Sequence, residues 1–287
     1  MTASSSGSAG LAATAEQHLA AGDLAAALAA LQQQVRRQPG DARLRIFLFQ
    51  LLALQRQWER AANQLKVCGD LDAGALAMVG TYREAIQAEL VRAAVMAGRT
   101  TPVVFGEPPA WVGGLVQALV ADARGEPAVA VALRGAALEA APTTAGTLDG
   151  EPFDWIADAD SRLGPVLEVV LRGRYGWLPF AALARVTIEA PTDLRDLIWL
   201  PAQLTFANGG ESVALIPARY GAADGDEPAG PGGDALRLGR RTDWLALDGL
   251  AGAEPTQFRG LGQRVLTSSG PEKGLLDVRE IVLAPPA

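Results

Sequence analysis

The sequence predicts an α+β protein, with a TPR-like α-helical repeat domain over residues 11–150 and a mixed, mostly antiparallel β-rich domain over residues 151–287. Three observations carry this. An alanine- and leucine-rich stretch with helical spacing repeats itself after 34 residues. From about Pro152 onward, β-branched and aromatic residues alternate with turn clusters. Asn208-Gly209-Gly210 separates two apolar runs of strand character, and Asn-Gly is a strong hairpin signal because both residues tolerate positive φ. A hydrophobic fraction of 49% and a charged fraction of 20% belong to a folded chain.

Residues 1–10 are small and polar and read as a disordered tail. The repeat follows. Gly22-Asp23-Leu24 aligns with Arg56-Gln57-Trp58, an offset of 34 residues, which is the tetratricopeptide period. Helices are expected at Ala13–Ala21 and Leu44–Leu54 before these turns, and at Ala25–Gln38 and Glu59–Val67 after them. The alignment superposes Ala27 on Ala61, a small residue where paired helices approach, and Leu31 on Leu65. A third helix pair, Trp111–Ala123 and Pro127–Ala141, flanks Gly125, with Val129, Leu133, Ala136, Ala137 and Ala140 expected inward. Between the pairs, Leu76–Met96 reads as one longer helix facing the core with Val79, Ile86, Leu90 and Val91, and the Pro-rich stretch Gly98–Pro109 ends it. An ordinary alanine-rich bundle is the alternative to a repeat.

In the second part, Phe153–Leu163 is expected as a short helix capped by Asp154. Pro165–Arg172, Arg185–Glu189, Leu197–Phe206, Ser212–Tyr220, Arg264–Thr267 and Leu275–Leu283 are strand candidates. Pro201 implies an edge position or a bulge, because proline cannot donate to a ladder. Residues 221–234, rich in glycine, proline and acid, read as a mobile surface loop.

The chemical vocabulary is narrow. One cysteine, Cys68, excludes an internal disulfide, and with one histidine, His18, it disfavours a Cys/His metal site and histidine-based acid–base catalysis. Asp158-Ala159-Asp160 fails as an EF-hand, since Leu163 and Val169 occupy the glycine and glutamate positions. There is no Gly-x-Ser-x-Gly elbow, no P-loop and no dinucleotide fingerprint, so no cofactor is expected. A net charge of −7 disfavours nucleic acid and favours a basic partner segment. No apolar run is long enough to span a membrane, and no basic targeting segment precedes Arg36, so a cytoplasmic protein without membrane insertion is expected.

What remains is a set of charged residues in the second part: Asp158, Asp160, Arg162, Arg195, Asp196, Arg241, Asp243, Arg264, Asp277 and Arg279. Trp155, Trp199 and Trp244 accompany them, the first two as expected core. They form either a partner-binding surface or a buried structural charge network. An enzyme built on Asp158, Asp160 or Asp277 with arginine partners is the competing functional class.

Four stretches carry a family resemblance: WIADADSRLGPVLEVVLRGRYGWLPF (Trp155–Phe180), PTDLRDLIWLPAQLTFANGGESVALIPARY (Pro191–Tyr220), LGRRTDWL (Leu238–Leu245) and GQRVLTSSGPEKGLLDVREI (Gly262–Ile281). With the TPR-like region they resemble the ImpE family, also called TagJ or SciE-type virulence protein, encoded with bacterial type VI secretion systems. The resemblance implies a non-enzymatic adaptor. It further implies binding to the N-terminal helix of the small contractile-sheath subunit, and through it a link to the AAA+ ATPase that disassembles contracted sheath.

Overall fold

A computed structural model describes residues 14–221, 228, 230–247 and 255–285. The expected tail therefore lies outside the described residues, as does half of the expected 221–234 loop. Eight helices are described: α1 (14–20), α2 (Leu24–Arg37), α3 (Ala42–Leu54), α4 (Trp58–Leu71), α5 (Leu76–Met96), α6 (Ala110–Ala123), α7 (Pro127–Ala140) and α8 (Pro231–Arg237). The last begins inside the stretch expected as a loop, with Pro231 in its first turn and Gly230 at φ +78° before it.

The 34-residue alignment is visible in the backbone. Gly22, Arg56 and Gly125 all adopt left-handed φ, at 79°, 58° and 72°. Each closes its helix with the same pair of bonds: its own N–H donates three residues back, and the next N–H donates five back, as Asp23 to His18, Gln57 to Leu52 and Glu126 to Ala121. Ala27, Ala61, Leu31 and Leu65 are fully buried, as the superposition requires. Asp23 and Asp41 cap α2 and α3 by accepting from the backbone of Ala26 and of Arg43 and Leu44.

Two helix faces are rotated from the expected ones. In α5, Leu90 and Val91 are exposed while Tyr82, Ala85 and Arg92 are buried. In α7, Val129, Ala136 and Ala140 are exposed while Ala130, Arg134 and Ala137 are buried. In both cases an arginine with a buried acceptor occupies the inward stripe, which a purely apolar reading overlooks.

Strand β1 (Val103–Val104) lies in the Pro-rich linker and β2 (Gly146–Leu148) just before the expected second domain. The others are β3 (Glu151–Phe153), β4 (Ile156–Asp158), β5 (Val166–Leu171), β6 (Arg174–Pro179), β7 (Leu183–Ile188), β8 (Trp199–Phe206), β9 (Glu211–Pro217), β10 (Thr242–Ala246), β11 (Phe258–Gly262), β12 (Val265–Ser268), β13 (Lys273–Gly274) and β14 (Glu280–Leu283). Nine build one sheet in the order β1-β6-β5-β9-β8-β7-β14-β2-β3, antiparallel throughout except for β1 beside β6. β13-β12-β4 and β10-β11 form two smaller antiparallel sheets.

The predicted hairpin joins β8 to β9, though only Gly209 takes positive φ. Pro201 corrects the edge expectation. β8 is interior, and Pro201 pairs with Leu215 on one side. On the other it sits where the β7 register has run out, accepting from Glu189 N–H, so no paired strand loses a bond to it. Phe153–Leu163 is not a helix. The Asp158 carboxylate accepts from Asp160 N–H at 2.8 Å and the Asp160 carboxylate from Arg162 N–H at 2.9 Å, so side chains capture the donors a helix would have used.

The helical and sheet parts share packing. Trp199 of β8 is fully buried against Tyr82 and Trp58, with ring centroids 5.6 and 5.9 Å away. Trp177 of β6 joins the apolar cluster of α5, α6 and α7.

Candidate functional site

Strand β5 reads Val-Leu-Glu-Val-Val-Leu, and all six residues are buried. A carboxylate there must be paired or it would cost several kcal/mol. Arg92 of α5 supplies the pair as a fork, with Nε donating to Glu168 Oε1 at 2.8 Å and Nη2 to Oε2 at 2.7 Å. Tyr175 Oη donates to Oε1 at 2.6 Å and in turn accepts from Trp177 Nε1 at 2.8 Å. Burial alone would raise the Glu168 carboxyl, but Arg92, with Arg264 and Tyr175, outweighs it and holds it down at about 2.

Arg264 bridges this group to a second one. Its Nη1 lies 3.4 Å from Glu168, and its Nε and Nη2 donate to Asp158 Oδ2 at 2.9 and 2.6 Å. The other Asp158 oxygen accepts from Tyr220 Oη at 3.0 Å and from Asp160 N–H. Asp160 is held by Arg162 Nη2 at 2.6 Å and by Gly260 N–H at 3.0 Å. Burial pushes Asp158 up to about 6, opposed by Arg264 and reinforced by the charge of Asp160. Every group around it donates, so it is ionised at pH 7. Three buried carboxylates thus face three buried guanidinium groups.

The same region ties the two parts of the chain together. Arg92 Nη2 donates to Arg219 O at 2.8 Å, Arg219 Nη1 to Leu54 O at 3.0 Å, and Arg56 Nη2 to Tyr220 O at 2.9 Å. The segment after β9 is therefore gripped by α3, by the α3–α4 turn and by α5. A separate pair joins Arg134 of α7 to Asp122, with Nη1 donating to Gln257 Oε1 at 2.7 Å.

The ten residues singled out from sequence thus divide. Asp158, Asp160, Arg162 and Arg264 meet in the buried network. Asp196 caps the short helix at 194–197, accepting from Thr192 and Asp193 N–H, while Arg195 lies 5.0 Å over the Tyr82 ring and 3.2 Å from Asp193. Arg241 and Asp243 pair at 2.6 Å on the surface, Asp277 is exposed, and Arg279 donates to the carbonyls of Leu276 and Val278. Trp155, expected in the core, is 39% exposed because Asp154 and Trp155 lie in the irregular link between β3 and β4. Trp244 is 40% exposed and packs against Tyr220 in a tilted pair, with ring centroids 5.6 Å apart.

Sequence reading missed Glu168, Arg92, Arg219, Arg134, Tyr175 and Tyr220. The available signals were a lone charge inside an apolar strand and arginines at core spacing on α5 and α7.

Asp158, Asp160 and Glu168 line neither of two surface openings formed by the described residues. One, of about 390 Å³, lies between Thr81 and Glu84 of α5 and the β7–β8–β9 face around Val213. The other, of about 670 Å³, lies between α1, α3 and residues 191–197. No cluster of three or more His, Cys, Asp or Glu placed to hold a metal occurs among the described residues, nor any helix long and apolar enough to cross a membrane.

The crystal structure of protein VPA1032 from Vibrio parahaemolyticus is similar at a TM-score of 0.83 over 95% of this chain and 98% of that one; at 23% identity this likeness shows the fold alone. A family model described as ImpE protein matches residues 150–282. The type VI secretion system accessory component TagJ of Pseudomonas aeruginosa is 54% identical over 271 residues, covering 94% of this chain and 91% of that protein. The chain belongs to the ImpE (TagJ) family.

Proposed function

We propose that this chain is a non-enzymatic accessory protein of a bacterial type VI secretion system, acting in the cytoplasm as an adaptor. Its partner is the small subunit of the contractile sheath, held through that subunit's N-terminal helix, which links the chain indirectly to the AAA+ ATPase of sheath disassembly. One observation carries the reading: the buried carboxylates Asp158, Asp160 and Glu168 are spent on guanidinium groups inside the fold, while the repeat helices and residues 191–197 leave an opening at the surface. The name of the 54% identical relative supports the accessory role. On this reading Asp158, Asp160, Arg162 and Arg264 are structural, and neither a cofactor nor nucleic acid takes part. A carboxylate enzyme would need those groups converging on a cleft with perturbed protonation. Asp158 is raised, but it faces Arg264 and Tyr220 rather than an opening.

Affinity capture of the sheath small subunit, intact and lacking its first helix, tests the proposal. Capture of the intact subunit and its loss on deletion is the expected result; equal capture of both would overturn it.

A further inference from the structure

Strand β10 is one arm of a two-stranded sheet, and its ladder with β11 fixes where its backbone groups point. Gln263 N–H donates to Arg241 O at 3.1 Å and Leu247 N–H to Gln257 O at 2.9 Å, one bond at each end of the pairing. Antiparallel pairs alternate, so Asp243 and Leu245 also bond β11, while Thr242, Trp244 and Ala246 turn their N–H and C=O groups outward. No described residue meets those six groups. β11 differs, being bonded on its far side as well: Ser161 N–H donates to Phe258 O, Tyr220 N–H to Gly262 O, and Gly260 N–H to Asp160.

The open edge is not blunted. Residues 242–246 hold no proline, no lysine and no register shift, the usual devices that keep an edge from pairing. Trp244, the exposed aromatic of the LGRRTDWL stretch, stands at the centre of the row, packed against Tyr220. Gly260 lies opposite it, where a Cβ would run into the Tyr220 ring. Asp243 points to the other face and is neutralised by Arg241 at 2.6 Å.

Only an extended backbone can satisfy such a row. β10 is its own match. Laid antiparallel on a second β10 about Trp244, it sets Trp244 against Trp244 and Thr242 against Ala246, so all outward groups of both strands are paired. Asp243 then faces Leu245 of the second copy, and no like charges stand directly opposite.

We infer that β10 is a dimerisation edge, through which two copies of this chain form a four-stranded sheet in the order β11-β10-β10-β11 about a two-fold axis at Trp244. The contact is short, so association is weak and depends on concentration. The inference stands apart from the adaptor reading.

Sedimentation velocity of the full chain from about 5 to 500 μM tests it, and the wild type should pass from monomer toward dimer across that range. Ala246→Pro removes an outward N–H that β11 does not use, so it should abolish the dimer with little change in melting temperature. Hydrogen-bonded antiparallel pairs hold Cα atoms about 5.5 Å apart, within disulfide reach, so Trp244→Cys should cross-link into a dimer on oxidation and Asp243→Cys should not. Cys68 is buried and does not compete. A wild-type chain that stays monomeric throughout, or an Ala246→Pro variant that dimerises as the wild type does, would overturn the inference. Cross-linking of Asp243→Cys as efficient as that of Trp244→Cys would overturn it too, by placing the contact in another register. A monomeric chain whose Thr242, Trp244 and Ala246 amides gain protection from exchange only with the sheath small subunit would give the edge to that partner and equally overturn it.

Discussion

Glu168 shows how one side chain can decide the architecture around it. Its carboxylate lies in a strand that is otherwise aliphatic, and its charge is tolerable only because Arg92 reaches across from α5. Replacing Arg92 by methionine leaves that charge buried with fewer partners, and should cost about 3–5 kcal/mol of stability in urea unfolding. The pH dependence follows from the same pair. Glu168 is held near 2, below its ordinary 4.5, so its contribution is complete above about 4.5 and is lost as pH falls toward 2. Asp158, raised to about 6, acts oppositely: the folded chain binds that proton more tightly, so this residue favours folding more as pH falls from 6 toward 3.8. Urea-unfolding free energies should therefore hold or rise slightly between pH 7 and 5 and fall below about 4.5; a steep decline already at pH 6 would contradict this. Asp158, Asp160, Arg162 and Arg264 were legible as charges needing partners, because they stand in apolar surroundings along the chain. Their true partners were not. Arg92 and Glu168 are 76 residues apart, and spacing says nothing about which distant helix a strand will meet.

Among the elements, the helix pairs were the most legible, because a 34-residue period repeats both the turn chemistry and the small residue at the close approach. The turns make this measurable. Gly125 has φ 72°, and a Cβ added there would meet nothing within 4 Å, so Gly125→Ala isolates the backbone cost and should destabilise by about 1 kcal/mol. Ala61 is fully buried between paired helices, and Ala61→Leu should cost about 1–3 kcal/mol; an unchanged melting temperature would undo the repeat alignment. Arg56 occupies the left-handed position that glycine holds in the other two pairs, and its guanidinium bond to Tyr220 O accounts for a side chain being kept there. The inward faces of α5 and α7 were less legible, since counting apolar residues assigns Leu90, Val91 and Val129 to the core and passes over Arg92 and Arg134. The stretch at 153–163 misled for a related reason: Asp154 reads as a helix cap, but Asp158 and Asp160 bond the backbone just after them and hold it out of a helix.

At the scale of the whole molecule, helices and sheet are parts of one construction. Trp199 is buried against helical residues, Arg92, Arg219 and Arg56 stitch α3–α5 to the segment after β9, and the groove beside α1 and α3 is closed by residues 191–197 of the sheet part. Composition foretold two textures but not that the opening beside α1 and α3 would need both, since its lining comes from both sequence stretches. The central claim is that this chain works as an adaptor through its helical repeat part and that the buried charge network is internal support. Amide hydrogen exchange of the full chain, with and without saturating sheath small subunit, tests it most directly. The account predicts added protection among the repeat helices, with none around Asp158, Glu168 and Arg264. Protection centred on β4, β5 and β12 instead, or no change anywhere with bound subunit, would contradict it.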